Sequence, residues 1–168
     1  MSQSVITLCG VKKCGKTTIL EKLIPELTGR GIKVAVVKHD SHSFTPDTPG
    51  TDTYRFFQAG ACGTIIFDGE KYSVTRRVAI ERPEAPAFFP DADLILMEGF
   101  KRSDFPKMEV IHPTDPDSPL CSDEEVFGFI TDRPVETDLP TFGRSDIKAI
   151  ADFILQLRNE GKLEYEAG

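Results

Sequence analysis

Two glycines, Gly10 and Gly15, bracket Val11-Lys12-Lys13-Cys14, and Lys16-Thr17-Thr18 follows them. That is G-x-x-x-x-G-K-[ST], and such spelling suits a cradle for phosphate. Glycines let the backbone curl until successive N–H groups point inward. The start of a following helix adds its partial positive charge. Lys16 brings an ammonium to the outer phosphates of a nucleoside triphosphate, and the Thr17 hydroxyl is a natural Mg2+ ligand. Lys12, Lys13, Cys14 and Thr18 complete the expected nucleotide-binding set, the two lysines making the loop more basic than the pattern demands. A bare glycine turn would explain the glycines alone. It would not explain why an apolar strand, the pattern and an amphipathic helix agree in register.

Mg2+ held on phosphate needs an acid at the end of a neighbouring buried strand. Glu98 closes Leu94-Ile95-Leu96-Met97-Glu98 and is the expected second metal-side residue beside Thr17, the alternative being a carboxylate that only caps a strand end. Gly99 would let the backbone approach the outer phosphate. Lys38-His39-Asp40-Ser41-His42 stands where a second strand ends, on the ligand-bearing edge of such a sheet. It could position water, contact Mg2+ from its outer shell, capture a second ligand, hold a transition metal through H-x-x-H, or form a solvated loop. Cys14 beside lysines at a helix start could be a reactive thiol; a small residue filling a tight turn is the plainer role.

The elements that must position these residues alternate. Ser4–Cys9 reads as a buried strand, and Lys16–Gly29 as a helix with Ile19, Leu20, Leu23, Ile24 and Leu27 on one stripe. Pro25 removes the N–H that would bond the Glu21 carbonyl, so a kink or an early end is expected there. Strands are expected at Ile32–Lys38, Asp93–Glu98, Met108–His112 and Val126–Ile130, with a short helix at Thr53–Ala61. Thr64–Asp68 and Tyr72–Ile80 flank Asp68-Gly69-Glu70-Lys71 as a β-hairpin. Residues 113–125, with three prolines and several acids, read as a surface loop. Asp146 is placed to cap a helix carrying Ile147, Ile150, Ala151, Ile154 and Leu155, and the chain should fray from about Gly161. Apolar strands alternating with helices predict an α/β, three-layer P-loop fold: a mostly parallel sheet covered on both faces, with the antiparallel hairpin at one edge. Residues 1–168 are expected to form a single domain.

A net charge of −7 disfavours nucleic acid and anionic membranes as partners, so an anionic nucleotide needs the local positive trap that the loop supplies. No apolar run reaches the length of a membrane span, and no signal peptide precedes the first strand, which points to the cytoplasm. The four cysteines, Cys9, Cys14, Cys62 and Cys121, form no C-x-x-C pair and are expected as reduced thiols.

The phosphate loop, Lys38-His39-Asp40-Ser41-His42, Pro49-Gly50-Thr51-Asp52-Thr53-Tyr54-Arg55, Ala59-Gly60-Ala61 and Leu94–Lys101 (LILMEGFK) occur in the order in which they define one family. Together they resemble the molybdopterin-guanine dinucleotide biosynthesis protein B (MobB) family, over about residues 4 to 159. The resemblance implies a dimeric GTP-binding protein that hydrolyses GTP slowly and assists a guanylyltransferase in attaching GMP to molybdopterin. Molybdopterin or its guanine dinucleotide is then a further partner. It also implies phosphate contacts from Gly10–Thr18, a magnesium-side acid at Glu98, and an acid after a late strand, Asp132, able to accept from guanine N1–H and N2–H in a fork. The chain departs from common patterns in lacking N-K-x-D and in carrying Cys14 where Ser or Gly is usual.

The catalytic set expected on this basis is Lys16, Asp40 and Glu98, with GTP and Mg2+ as cofactors. Charge stabilisation by Lys16 and the loop amides would carry the chemistry, with water positioned near Asp40 or Glu98. Two other classes compete. One is an ATP-dependent kinase or ligase whose acceptor is bound by His42, Asp47 and Arg55. The other is a non-catalytic adaptor that holds nucleotide or pterin.

Overall fold

The structure, a computed structural model, describes residues 3–40, 44–80, 82–114 and 126–165. The chain divides into two compact units. One runs up to His39 and resumes at Arg82; the other is Asp40–Glu81.

The first unit is built on a twisted sheet. Its strands are β1 (Gln3–Cys9), β2 (Val34–Lys38), β5 (Leu94–Glu98), β6 (Lys107–Val110), β7 (Val126–Ile130), β8 (Thr141–Phe142) and β9 (Glu164–Tyr165). The spatial order is β2-β5-β1-β6-β7-β8, with every neighbour parallel. Parallel neighbours need crossovers, and α1 (Lys16–Gly29) carries the chain from β1 past β5 to β2. The strands beside β1 on its two sides are thus reached by different routes, which makes its C-terminal end a switch point of the kind that opens a crevice.

Side-chain alternation splits the core into two faces. Ile6, Leu8, Leu94, Leu96, Met108, Val110 and Ile130 face α1 and α3 (Ile147–Asn159), which bury Ile19, Leu20, Leu23 and Leu27 and Ile150, Ala151, Ile154 and Leu157. Each fully buried aliphatic side chain there contributes about 2 kcal/mol of transfer free energy. The opposite face carries Val5, Ile95, Met97, Ile111 and Phe129. Among the described residues its cover is Phe100, Phe105, Tyr165, Val135 and Leu139, from loops and strand ends rather than a helix. That face also buries polar groups. Lys107 is fully enclosed and donates to the Ser103 carbonyl, and burial holds its ammonium below the ordinary 10.5, Asp104 opposing the shift.

Helix α1 begins and ends where its periodicity predicts, and it runs through Pro25 to Gly29. Pro25 is on the exposed side, while Leu23 and Leu27 on either side of it are buried, so packing holds the helix together across the missing bond. Asp146 stands at the N-cap of α3 without capping it. Its Oδ2 accepts from Gly143 N–H at 3.0 Å instead. The chain beyond Gly161 does not fray by Tyr165: Leu163 is buried, and β9 pairs antiparallel with the start of β1. Cys9 is disulfide-bonded, which overturns the expectation of reduced thiols at that residue; Cys14 and Cys62 are free. Cys121 and residues 115–125 of the expected loop lie outside the described residues.

The second unit holds α2 (Asp52–Gln58) and the hairpin of β3 (Gly63–Phe67) and β4 (Tyr72–Arg76). The Thr51 hydroxyl caps α2 by accepting from Tyr54 N–H at 3.3 Å. The hairpin forms as expected but as a two-stranded sheet of its own, and the antiparallel member of the main sheet is β9. Among the described residues no helix is long and apolar enough to cross a membrane.

Candidate phosphate-binding site

Strand β1 ends at Cys9, buried on both sides, and the chain must turn there toward α1. Gly10 has φ 138, and a Cβ at that position would collide with the Val110 carbonyl oxygen and stand 2.9 Å from Cys14 Sγ. Lys13 follows at φ 65, the one non-glycine residue with positive φ among the described residues. Gly15 at φ 96 then opens α1 as its N-cap. Backbone curled by residues of positive φ is the kind that can turn successive N–H groups to one side as an anion-binding concavity. A lysine in the left-handed region is strained by about 1 kcal/mol or more.

The first turn of α1 strengthens this concavity. The first i→i−4 bond of the helix runs from Ile19 N–H to the Gly15 carbonyl at 3.1 Å, and no side chain caps the N-terminus. The preceding amides, those of Lys16, Thr17 and Thr18, therefore have no partner within the helix. Lys16 folds back over the loop, its Nζ donating to the carbonyls of Val11 at 2.8 Å and Gly10 at 3.1 Å. Lys12, Lys13, Thr17 and Thr18 are exposed around the rim. Cys14 is buried with its Sγ 3.5 Å from Lys16 Nζ and belongs to the helix-side core, so its side chain fills the turn, as the plainer of its two roles required. Its N–H is used within the loop, donating to Val11 at 3.3 Å.

The Thr17 hydroxyl donates to Glu98 Oε1 at 3.1 Å, and Lys38 Nζ reaches the same oxygen at 3.4 Å. Glu98 is held there because β5 pairs with β1 on one side and β2 on the other, bringing the ends of all three strands together. Its side chain is 12% exposed. One hydroxyl and one carboxylate in contact form a hard oxygen pair of the kind that holds Mg2+ alongside phosphate oxygens. No cluster of three or more His, Cys, Asp or Glu suited to a metal occurs among the described residues. Gly99 has φ 106; its N–H donates to the Leu8 carbonyl at 3.2 Å, and a Cβ there would stand 3.2 Å from the His39 carbonyl, so the glycine admits the close approach of that strand end.

On the far side of the loop, β7 runs into Thr131-Asp132. Strand β7 lies two strands from β1, roughly 10 Å at about 4.8 Å per strand. Asp132 Oδ1 accepts the backbone N–H of Arg144 at 2.9 Å and Oδ2 stands 3.9 Å from Arg144 Nε, while 61% of the side chain remains exposed. The site therefore has two ends, Glu98 and Lys38 on one side of the loop and Asp132 on the other.

Arg144 was not legible as a site residue. Its guanidinium lies against the loop, with Nη1 donating to the Cys14 carbonyl at 2.6 Å and Nη2 to the Ile111 carbonyl. A lone arginine 130 residues from its partner in a T-F-G-R-S-D stretch carries no sequence signal. Of Lys38-His39-Asp40-Ser41-His42, Lys38 and His39 belong to this unit, and His39 donates its N–H to the Glu98 carbonyl while its ring tilts against Phe100. Asp40 belongs to the second unit, and Ser41 and His42 lie outside the described residues. The other expected acceptor-substrate binders are engaged locally. Asp47 accepts from the Thr53 hydroxyl and Thr48 N–H, which hold its carboxyl below the ordinary 3.8, and Arg55 pairs with Asp52 at 3.6 Å.

Residues 5–132 match the family described as Molybdopterin guanine dinucleotide synthesis protein B. The chain is 34% identical over 157 residues to the molybdopterin-guanine dinucleotide biosynthesis adapter protein of Haemophilus influenzae, spanning 89% of this chain and 86% of that one. It is 32% identical over 150 residues to the adapter protein of the same name in Escherichia coli, spanning 84% and 86%. The crystal structure of Bacillus subtilis MobB superposes with a TM-score of 0.75 at 24% identity, covering 91% of this chain and 96% of that one, which establishes the fold.

Proposed function

Since the chain belongs to the molybdopterin guanine dinucleotide synthesis protein B family, we propose that it serves molybdenum cofactor biosynthesis as an adapter that binds GTP with Mg2+ at its phosphate loop. One observation carries the nucleotide part of this reading. A loop with positive φ at Gly10, Lys13 and Gly15, with Lys16 folded over it, lies between an oxygen pair at one end, Thr17 and Glu98, and a largely exposed carboxylate at the other, Asp132. A triphosphate on the loop would set its outer phosphates toward Glu98 and its base toward β7. Asp132 would accept from guanine N1–H and N2–H, which adenine does not offer. Bound Mg2+ would neutralise charge on the outer phosphates, with Thr17 and Glu98 as its protein-side oxygens.

Hydrolysis in this reading is slow. Lys16 and the loop amides stabilise charge, and Glu98 orients water. Arg144, the arginine beside the loop, has its two Nη groups donating to main-chain carbonyls and so does not act as an arginine finger. The partners are a guanylyltransferase, which receives the nucleotide or the activated pterin, molybdopterin or its guanine dinucleotide, and a second copy of this chain. The name adapter, borne by the relatives, favours a further reading in which no phosphate is released at all.

Competitive binding of GTP, ATP and their diphosphates in Mg2+, repeated with Lys16→Ala, tests the proposal. GTP should bind more tightly than ATP, and the substitution should weaken GTP by tenfold or more, since hydrogen bonds to charged groups contribute about 1.5–3 kcal/mol. A preference for ATP, or indifference to Lys16→Ala, would sink it. Phosphate release at many turnovers per second without a partner would exclude the slow-hydrolysis reading.

A further inference from the structure

We infer that Arg144 is a positioning residue that sets the direction of a phosphate-loop amide and ties the loop to the acid at the end of β7. The inference rests on the reading that this loop holds the triphosphate. Arg144 lies beyond residues 5–132, the stretch that matches the family.

Four contacts support it. Nη1 donates to the Cys14 carbonyl at 2.6 Å, Nη2 to the Ile111 carbonyl at the end of β6, and the backbone N–H to Asp132 Oδ1 at 2.9 Å. Nε is buried without a hydrogen-bond partner among the described residues and stands 3.9 Å from Asp132 Oδ2. One residue therefore joins the phosphate loop to the ends of β6 and β7.

The Cys14 contact matters most. A trans peptide is planar, so its C=O and the next N–H point in opposite directions. The chain has no cis peptide among its described residues. Holding the Cys14 carbonyl toward Arg144 thus turns the Gly15 N–H away from the arginine, to the other side of the loop. Gly15 suits this position by its φ of 96, and a Cβ there would in addition stand 2.8 Å from Nη1. The side chain is only 20% exposed, so these charge-assisted bonds are weakly screened. Reaching two carbonyls on separate segments takes a planar fork, which lysine lacks.

The test compares Arg144→Ala, Arg144→Lys and wild type for affinity toward GTP and GMP in Mg2+, with thermal melting to confirm folding. Arg144→Ala should weaken GTP by about 10–100-fold and GMP by much less, because the second phosphate is what the Gly15 amide would meet. Arg144→Lys should keep the charge but not the GTP affinity, and added guanidinium at millimolar level should partly restore Arg144→Ala. General destabilisation lowers the active fraction for both ligands alike, so an unchanged GTP-to-GMP ratio in both variants would overturn the inference. If wild type binds GTP, Lys16→Ala abolishes it and the Arg144 variants are unaffected, the inference fails while the nucleotide reading stands. If Lys16→Ala has no effect, the nucleotide reading itself has failed.

Discussion

Glu98 is the residue on which the proposed metal side of the site turns, because one carboxylate oxygen serves both the Thr17 hydroxyl and the Lys38 ammonium. Glu98→Gln preserves size and one acceptor but removes the charge. Calorimetric titration of GTP with and without EDTA should show the Mg2+-dependent part of the affinity falling about tenfold, or ~1.4 kcal/mol, while metal-free binding stays level. An equal loss in both conditions would mean that Glu98 acts by shaping the loop. The residues legible in the sequence are those whose chemistry is local: Gly10, Gly15, Lys16 and Thr17 lie within eight positions, and their proposed roles follow from that spacing. Glu98 was legible because an acid ending an apolar strand is itself a local pattern. Arg144 and Lys38 were not assigned such contacts. Each acts through a partner fixed only once the strands have been ordered.

At the scale of elements, strands and helices followed from period and punctuation, and the misses came where tertiary packing outweighed a local rule. Pro25 marks a break in any isolated helix, yet α1 continues because Leu23 and Leu27 are both buried. Glu164–Tyr165 has no strand signature and is a strand because the start of β1 has a free edge that β6 does not reach. The hairpin turn followed its local rule. Asp68 Oδ1 accepts from Glu70 N–H at 2.8 Å and Lys71 N–H at 2.9 Å, and these two backbone bonds hold its carboxyl below the ordinary 3.8. A depressed carboxyl stabilises the fold above its unfolded pKa, and the contribution disappears as pH falls through the lowered folded value. Asp68→Ala should therefore speed amide exchange in β3 and β4 near neutral pH, leaving β1 and β5 unchanged. The gap between variant and wild type should close at strongly acid pH. A gap independent of pH would show that the carboxylate charge has no part in the turn.

For the whole molecule, the question is how a two-stranded sheet persists, since an isolated hairpin is marginally stable in water. Register sets Phe67 opposite Tyr72 and Ile65 opposite Val74, so these four side chains share one face of the β3–β4 sheet. All four are exposed, Phe67 by 75%. The other face carries the pairs Thr64–Thr75 and Ile66–Ser73 and is far more polar. One apolar and one polar face is the pattern of a sheet that packs on one side, and the proposed occupant is a second copy of this chain. A twofold contact presents the same patch from both subunits and so covers each copy's apolar face at once. Sedimentation equilibrium should find a dimer for wild type and a monomer for Ile65→Ser combined with Phe67→Ser. GTP affinity should be retained by the monomer if the phosphate loop is complete within one chain. A wild type that remains monomeric at high concentration would leave the exposed face to the guanylyltransferase or another protein, and the homodimer would be abandoned.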